Sequence, residues 1–172
     1  DFDSVLNLLQ GQVTSDCSLI SEQFGQISSL CDEKGFILCN FEIIFDKNEW
    51  LIIIEESSKD IFLDEIGKFL PFYKVSAELI DYQISGVTRS KDEKLLSNEY
   101  IIHQSNEALL SLIIRNNNQL DHNLQMSDWA FNRKFFGDHQ INNEEKGKYR
   151  PHELGQHLTR VSFKKGCFKG QE

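Results

Sequence analysis

The sequence has 172 residues, with 40% apolar and 26% charged residues and a net charge of −9. That length suits one sizeable domain or two small ones sharing a core. The acidic balance argues against direct nucleic-acid binding, which needs Lys and Arg to displace phosphate counterions. The longest apolar run, Leu51–Ile54, falls far short of the roughly 18–20 residues that span a bilayer.

In chain order, Val5, Leu8 and Leu9 share one helix face, with Asp3 or Ser4 placed to cap its start and Gly11 to stop it. Three antiparallel strands follow: Gly25–Leu30, Phe36–Phe45 and Trp50–Glu56, joined by turns at 32–35 and 46–49. Trp50–Ile54 lacks alternation, which predicts burial on both faces. Ile61, Phe62, Ile66, Phe69 and Leu70 form a helical stripe that Pro71 ends. Ala77–Ser85 reads as a strand, Ser90–Glu99 as a polar connection and Tyr100–Gln104 as a short strand. Ser105 is placed to cap a helix over Asn106–Arg115 that ends at the Asn116–Asn118 run. A last helix covers Ser127–Gly137, with Ser127 as cap and Gly137 as stop, and 138–150 is polar and loop-like. Strands joined by short turns, with helices packed on them, specify an α+β class with mostly antiparallel sheets.

The four cysteines, Cys17, Cys31, Cys39 and Cys167, form no C-x-x-C and point to a reducing compartment. The 32–35 turn sets Cys31 opposite Phe36 and Cys39 opposite Ser28, which keeps the two thiols apart as core cysteines. Cys167 has Lys164, Lys165 and Lys169 around it, and positive charge favours the reactive thiolate. Gly166 and Gly170 permit close approach or positive φ. An inert cysteine in a basic surface turn fits the same residues. His152 and His157 are five residues apart, about 140° around a helix at 3.6 residues per turn, which is wrong for a two-histidine zinc face; no metal site is read. Trp129 serves equally as core or as a stacking platform. No acid–base dyad stands out among the carboxylates.

The ending "KKGCFKGQE" is more specific than its composition. It resembles the signature K-G-C-[YF]-x-G-Q-E of the YgfZ family, folate-binding proteins related to the glycine-cleavage T-protein, an aminomethyltransferase. "LLQGQVTSD" (8–16), "CDEKGFILCNF" (31–41), "FYKVSAEL" (72–79), "SDWAFNRKFFG" and "RPHELGQHLTRVSFKKGC" are similar to further family stretches in the same order.

The resemblance implies three domains in a ring around a central hole that holds folate, as tetrahydrofolate. Residues 1–75 then form most of the first unit, without its opening strand, and 76–172 form the second. A C-terminal β-barrel domain is absent from this chain. The implied role is support of iron–sulfur enzymes and their assembly, including enzymes that methylthiolate tRNA. The implied location is the bacterial cytoplasm, or the mitochondrion in a eukaryote. Cys167 matches the functional thiol and Trp129 a folate-contacting tryptophan. Lys164, Lys165, Gly166, Phe168, Gly170, Gln171 and Glu172 match the rest of the signature, and Lys169 its variable position. The aminomethyltransferase Asp pair is replaced by Cys39 and Asn40, which argues against one-carbon transfer because neither supplies an ionised carboxylate. The alternatives are a tetrahydrofolate-dependent one-carbon enzyme and an interaction module without folate.

Overall fold

Turn chemistry builds the first sheet. In this computed structural model, which describes residues 1–115 and 125–171, strands β1 (Gln26–Cys31), β2 (Ile37–Asp46) and β3 (Glu49–Ile54) form an antiparallel meander. Lys47 and Asn48 turn β2 into β3 with φ of 47° and 68°, the paired positive values of a tight two-residue hairpin. The β1–β2 turn is held by Asp32, whose carboxylate accepts from the backbone N–H of Lys34 and of Phe36.

Strand β2 is central, and its period of two separates two environments. Cys39, Phe41 and Ile43 face one core, with Leu8 and Leu9 of helix α1 (Phe2–Gln12) and Phe62 and Ile66 of helix α2 (Glu56–Gly67). Ile44 faces the other, shared with a second antiparallel sheet of β4 (Gln83–Ser90), β5 (Glu99–Gln104) and β6 (Ala108–Arg115) in the order β4-β6-β5. That core includes Tyr100, Ile102, Leu110, Leu112 and Ile114. The sheets also join by backbone: Gly25 N–H donates to Ile101 O (2.8 Å) and Ile101 N–H to Gln23 O (2.9 Å). The class is therefore α+β, with two small antiparallel sheets. Among the described residues, no helix is long and apolar enough to cross a membrane.

Several expectations are corrected. Residues 106–115 form no helix; β6 occupies 108–115 as the middle strand of its sheet. The Ser105 signal was real but serves a hairpin: its Oγ accepts from the N–H of Glu107 and Ala108 in the β5–β6 turn. The asparagine run 116–118 lies outside the described residues. Strand β3 is an edge strand, half-buried over most of its length; continuous burial belongs to β2, which has a neighbour on each side. The strand expected from Ala77 starts at Gln83. A register shift at Leu30/Cys31 places Cys39 opposite Leu30 and Cys31 opposite Ile37, not Ser28 and Phe36. Helix α1 runs through Gly11 to Gln12, with Asp1 rather than Asp3 or Ser4 at its N-cap. Pro71 opens a separate short helix, α3 (Leu70–Tyr73), because a first-turn position needs no N–H. Helix α4 (Met126–Phe135) starts from a capping box between Gln125 and Asp128, with the expected cap Ser127 inside it, and Gly137 follows its end at φ 76°.

Candidate functional site

The C-terminal segment leaves α4 and lies across the first sheet. Gly147 N–H donates to Ile37 O (2.8 Å), Ile37 N–H to Tyr149 O (2.8 Å) and Ser162 N–H to Thr14 O (2.9 Å). This path gathers three sequence motifs that are far apart in the chain: "QGQVTSD", "CDEKG" and "KKGCFKGQE".

Lys165 anchors the ending to the first motif. Its Nζ donates to Val13 O (2.6 Å) and Ser15 O (2.9 Å) and lies 5.3 Å from the Phe168 ring centroid. Burial pushes the Lys165 ammonium pKa below its ordinary value, with Cys17 and Asp16 opposing the shift. Lys169 N–H donates to Gly11 O (3.2 Å), and its Nζ pairs with Glu65 (2.5 Å) on α2. Thr14, fully buried, donates its hydroxyl to Arg160 O (2.7 Å) and accepts from Ser29 N–H (2.9 Å).

Two glycines join the ending to the second motif. Gly170 (φ 80°) sits so close to the hairpin turn that an added Cβ would lie 2.2 Å from Asp32 O. Gly35 (φ 81°) faces it, with an added Cβ 2.6 Å from Gly170 O. Neither position admits a side chain, for conformation and for space. An added Cβ on Gly166 would meet nothing within 4 Å, so no contact requires a glycine there. Phe168 is buried, Gln171 accepts from Phe168 N–H through Oε1 (3.2 Å), and Lys164 is exposed. Glu172 lies outside the described residues.

Cys167 is the exposed thiol, whereas Cys17, Cys31 and Cys39 are buried. Burial pushes each of those three thiols up to about 12, which leaves them protonated and unreactive.

Trp129 is elsewhere, on α4 against β4. An added Cβ on Gly86 would meet its Cδ2, Cε2 and Cε3 at 2.4, 2.5 and 2.6 Å, so the ring lies with its face on the strand. The Arg133 guanidinium lies 5.6 Å from the indole centroid.

Two buried polar clusters were not read from the sequence. In the first, Asn40 and Gln156 form a reciprocal amide pair: Asn40 Nδ2 donates to Gln156 Oε1 (3.1 Å) and Gln156 Nε2 to Asn40 Oδ1 (3.2 Å). Asn40 Nδ2 also donates to Ser29 Oγ (2.8 Å), its Oδ1 accepts from Ile141 N–H (2.7 Å), and Gln156 Nε2 donates to His139 O (2.6 Å). In the second, Arg133 and Arg160 oppose Glu42 and Asp138. Arg160 grips Asp138 through Nε (2.6 Å) and Nη2 (3.0 Å), and Arg133 bridges Asp138 (Nε, 2.8 Å) and Glu42 (Nη2, 2.6 Å). Burial alone would raise the Asp138 carboxyl pKa, but the Arg160 and Arg133 charges hold it below the usual value. Neither cluster has a period or a local spacing that could have revealed it. The one pointer was the unusual polarity of residues that fall in the chain's interior.

His103 sits at the junction of the sheets beside a cavity of about 250 Å³. Its Nε2 is 3.3 Å from Phe136 O, and burial pushes its pKa down. His152 is exposed, in a turn, and His157 is half-buried, in the short 3-10 helix Gln156–Leu158, so the two do not share one helix face.

No protein-family model matches the chain. It is 28% identical over 171 residues to an uncharacterised protein of Haemophilus influenzae, an alignment covering 95% of this chain and 59% of that protein. The chain thus spans less than two thirds of the length of this relative.

Proposed function

We propose that this chain belongs to a YgfZ-type folate-binding accessory protein, with a T-protein-like fold, that supports iron–sulfur enzymes, including those that methylthiolate tRNA. Cys167 is its working thiol and tetrahydrofolate its ligand. The observation that carries this reading is the meeting of "QGQVTSD", "CDEKG" and "KKGCFKGQE" through Lys165, Lys169 and the Gly35–Gly170 contact. Segments that resemble one family in sequence order are here parts of one assembly, with the signature's backbone held on both sides and its cysteine left exposed. Four free cysteines fit a reducing compartment such as the bacterial cytoplasm or the mitochondrial matrix.

The same geometry speaks against aminomethyl transfer. Asn40 stands where the related transferases carry an acid, and it spends both ends of its amide on Ser29, Gln156 and Ile141. Cys39 beside it points into the apolar core. Neither side chain is available as a proton acceptor for a folate amine. A ligand stacked on Trp129 uses the ring face turned away from Gly86.

The test is Cys167→Ala in the full-length protein, in cells lacking the native copy. The expected result is reduced tRNA methylthiolation at unchanged protein level; full complementation refutes the role given to the thiol. Tetrahydrofolate binding is read separately, as quenching of Trp129 emission in a Trp50→Phe background.

A further inference from the structure

A surface pocket of about 470 Å³ opens between the β1–β2 turn and the C-terminal segment. Lys34, Arg150, His152 and His157 line it together with Phe163 and Phe168, and among the described residues no Asp or Glu side chain lines it. That is unusual local chemistry for a chain of net charge −9. Three of the other arginines are spent on acids: Arg89 holds Glu99, and Arg133 and Arg160 hold Asp138.

Arg150 is built differently. Its Nε donates to Lys34 O (3.2 Å), and its guanidinium carbon lies 4.9 Å from the Phe36 ring centroid. The two contacts fix the plane of the fork, while its two terminal nitrogens carry no hydrogen bond among the described residues. The neighbouring carboxylates are engaged by backbone: Glu153 Oε2 accepts from Arg150 N–H (2.6 Å), and Asp32 Oδ1 from Lys34 and Phe36 N–H. A planar fork already ordered, with donors to spare, is suited to bidentate capture of an oxyanion, because little side-chain entropy remains to be lost. The pocket's size is that of a small-molecule site, and Phe163 and Phe168 supply apolar surface for the body of the ligand. A polyanion such as RNA is disfavoured by the overall negative charge.

We infer that this pocket binds a small organic oxyanion, a carboxylate or phosphate carried on an aromatic or apolar body, with Arg150 as the anion clamp and Lys34 supporting it. The inference stands on these residues and not on the folate reading.

Calorimetric titration of the full-length protein with benzoate, phenyl phosphate, inorganic phosphate and benzyl alcohol tests it. Benzoate or phenyl phosphate should bind, and the tighter of the two identifies the preferred anion. Inorganic phosphate and benzyl alcohol should each be weaker by about tenfold or more, since each lacks half of the recognition. Arg150→Gln should weaken the aromatic anion by about tenfold or more, while Lys94→Gln, an exposed lysine off the pocket, should leave it unchanged. The His152 and His157 ring resonances should shift on titration. No binding by either aromatic anion up to about 10 mM, equal affinity in Arg150→Gln, or an equal loss in Lys94→Gln would overturn the assignment.

Discussion

Replacing Arg160 by Met should be among the most damaging single changes in this protein. Arg160 is fully buried, and its guanidinium reaches Asp138 through Nε and Nη2 and the backbone carbonyls of Ser28 (2.5 Å) and Phe41 (3.2 Å) through Nη1. Methionine keeps much of the length but removes every donor. The cluster of Glu42, Asp138, Arg133 and Arg160 then carries one uncompensated buried negative charge. Breaking one partner from a buried ion pair costs about 3–5 kcal/mol. Protonation of Asp138 at pH 7 caps the charge part at about 4 kcal/mol, from an ordinary carboxyl pKa near 3.9. Against a typical total stability of about 5–15 kcal/mol, the loss is a large fraction. With a urea slope of about 2 kcal/mol/M, the midpoint should fall by about 2 M. The gap between variant and parent should narrow from pH 7 to pH 4, because the variant's stranded carboxylate can take up a proton. A midpoint shift below about 0.5 M, or a gap that widens on acidification, would refute the claim that this charge network holds the C-terminal segment to the first sheet.

Gly170→Ala should destabilise the protein by about 2 kcal/mol or more, since it adds a left-handed backbone penalty to a contact at 2.2 Å from Asp32 O. Gly166→Ala should stay within about 0.5 kcal/mol in the same urea assay, having no neighbour to meet. Native alkylation followed by intact mass should add one iodoacetamide group, at Cys167, and labelling in denaturant should add four; more than one native adduct would contradict the burial of the other three. Acid should weaken the fold in two stages. His103, with its pKa pushed down by burial, contributes stability above its unfolded value near 6.5 that is lost as pH falls toward its folded value. Asp138 and Glu99, held low by arginine partners despite burial, contribute stability above unfolded values near 4 that is lost as pH falls through their depressed ones. His103→Gln should remove the first stage from a urea-midpoint profile and leave the second.

The readable parts of this chain were those governed by local rules. The first meander followed from turn residues and β-branched runs, and Lys47–Asn48 and Asp32–Gly35 turn where polar and glycine signals mark them. The misread element, "ALLSLIIR", shows where such rules stop. A continuous apolar run fits a buried helix or a doubly covered strand equally well, and its place between β4 and β5 decided for the strand. Cys167 and its glycines were legible as a motif, but the reason for Gly170 was not: it lies in Asp32 and Gly35, more than 130 positions earlier, where two backbones touch.

The sequence by itself determined the α+β class, the first meander and the local motifs "QGQVTSD", "CDEKG" and "KKGCFKGQE" as segments. Periodicity, turn chemistry and motif order act over short stretches and survive without coordinates. Tertiary structure alone decided that these segments meet, that Asn40 is spent on a buried amide pair, and that Arg133 and Arg160 close a charge-balanced cluster with Glu42 and Asp138. It also decided that Arg150 keeps two terminal nitrogens without a hydrogen bond among the described residues, at the edge of a pocket. A buried charge or amide is tolerable only where partners from distant parts of the chain satisfy it, and those partners exist as neighbours only once the chain has folded.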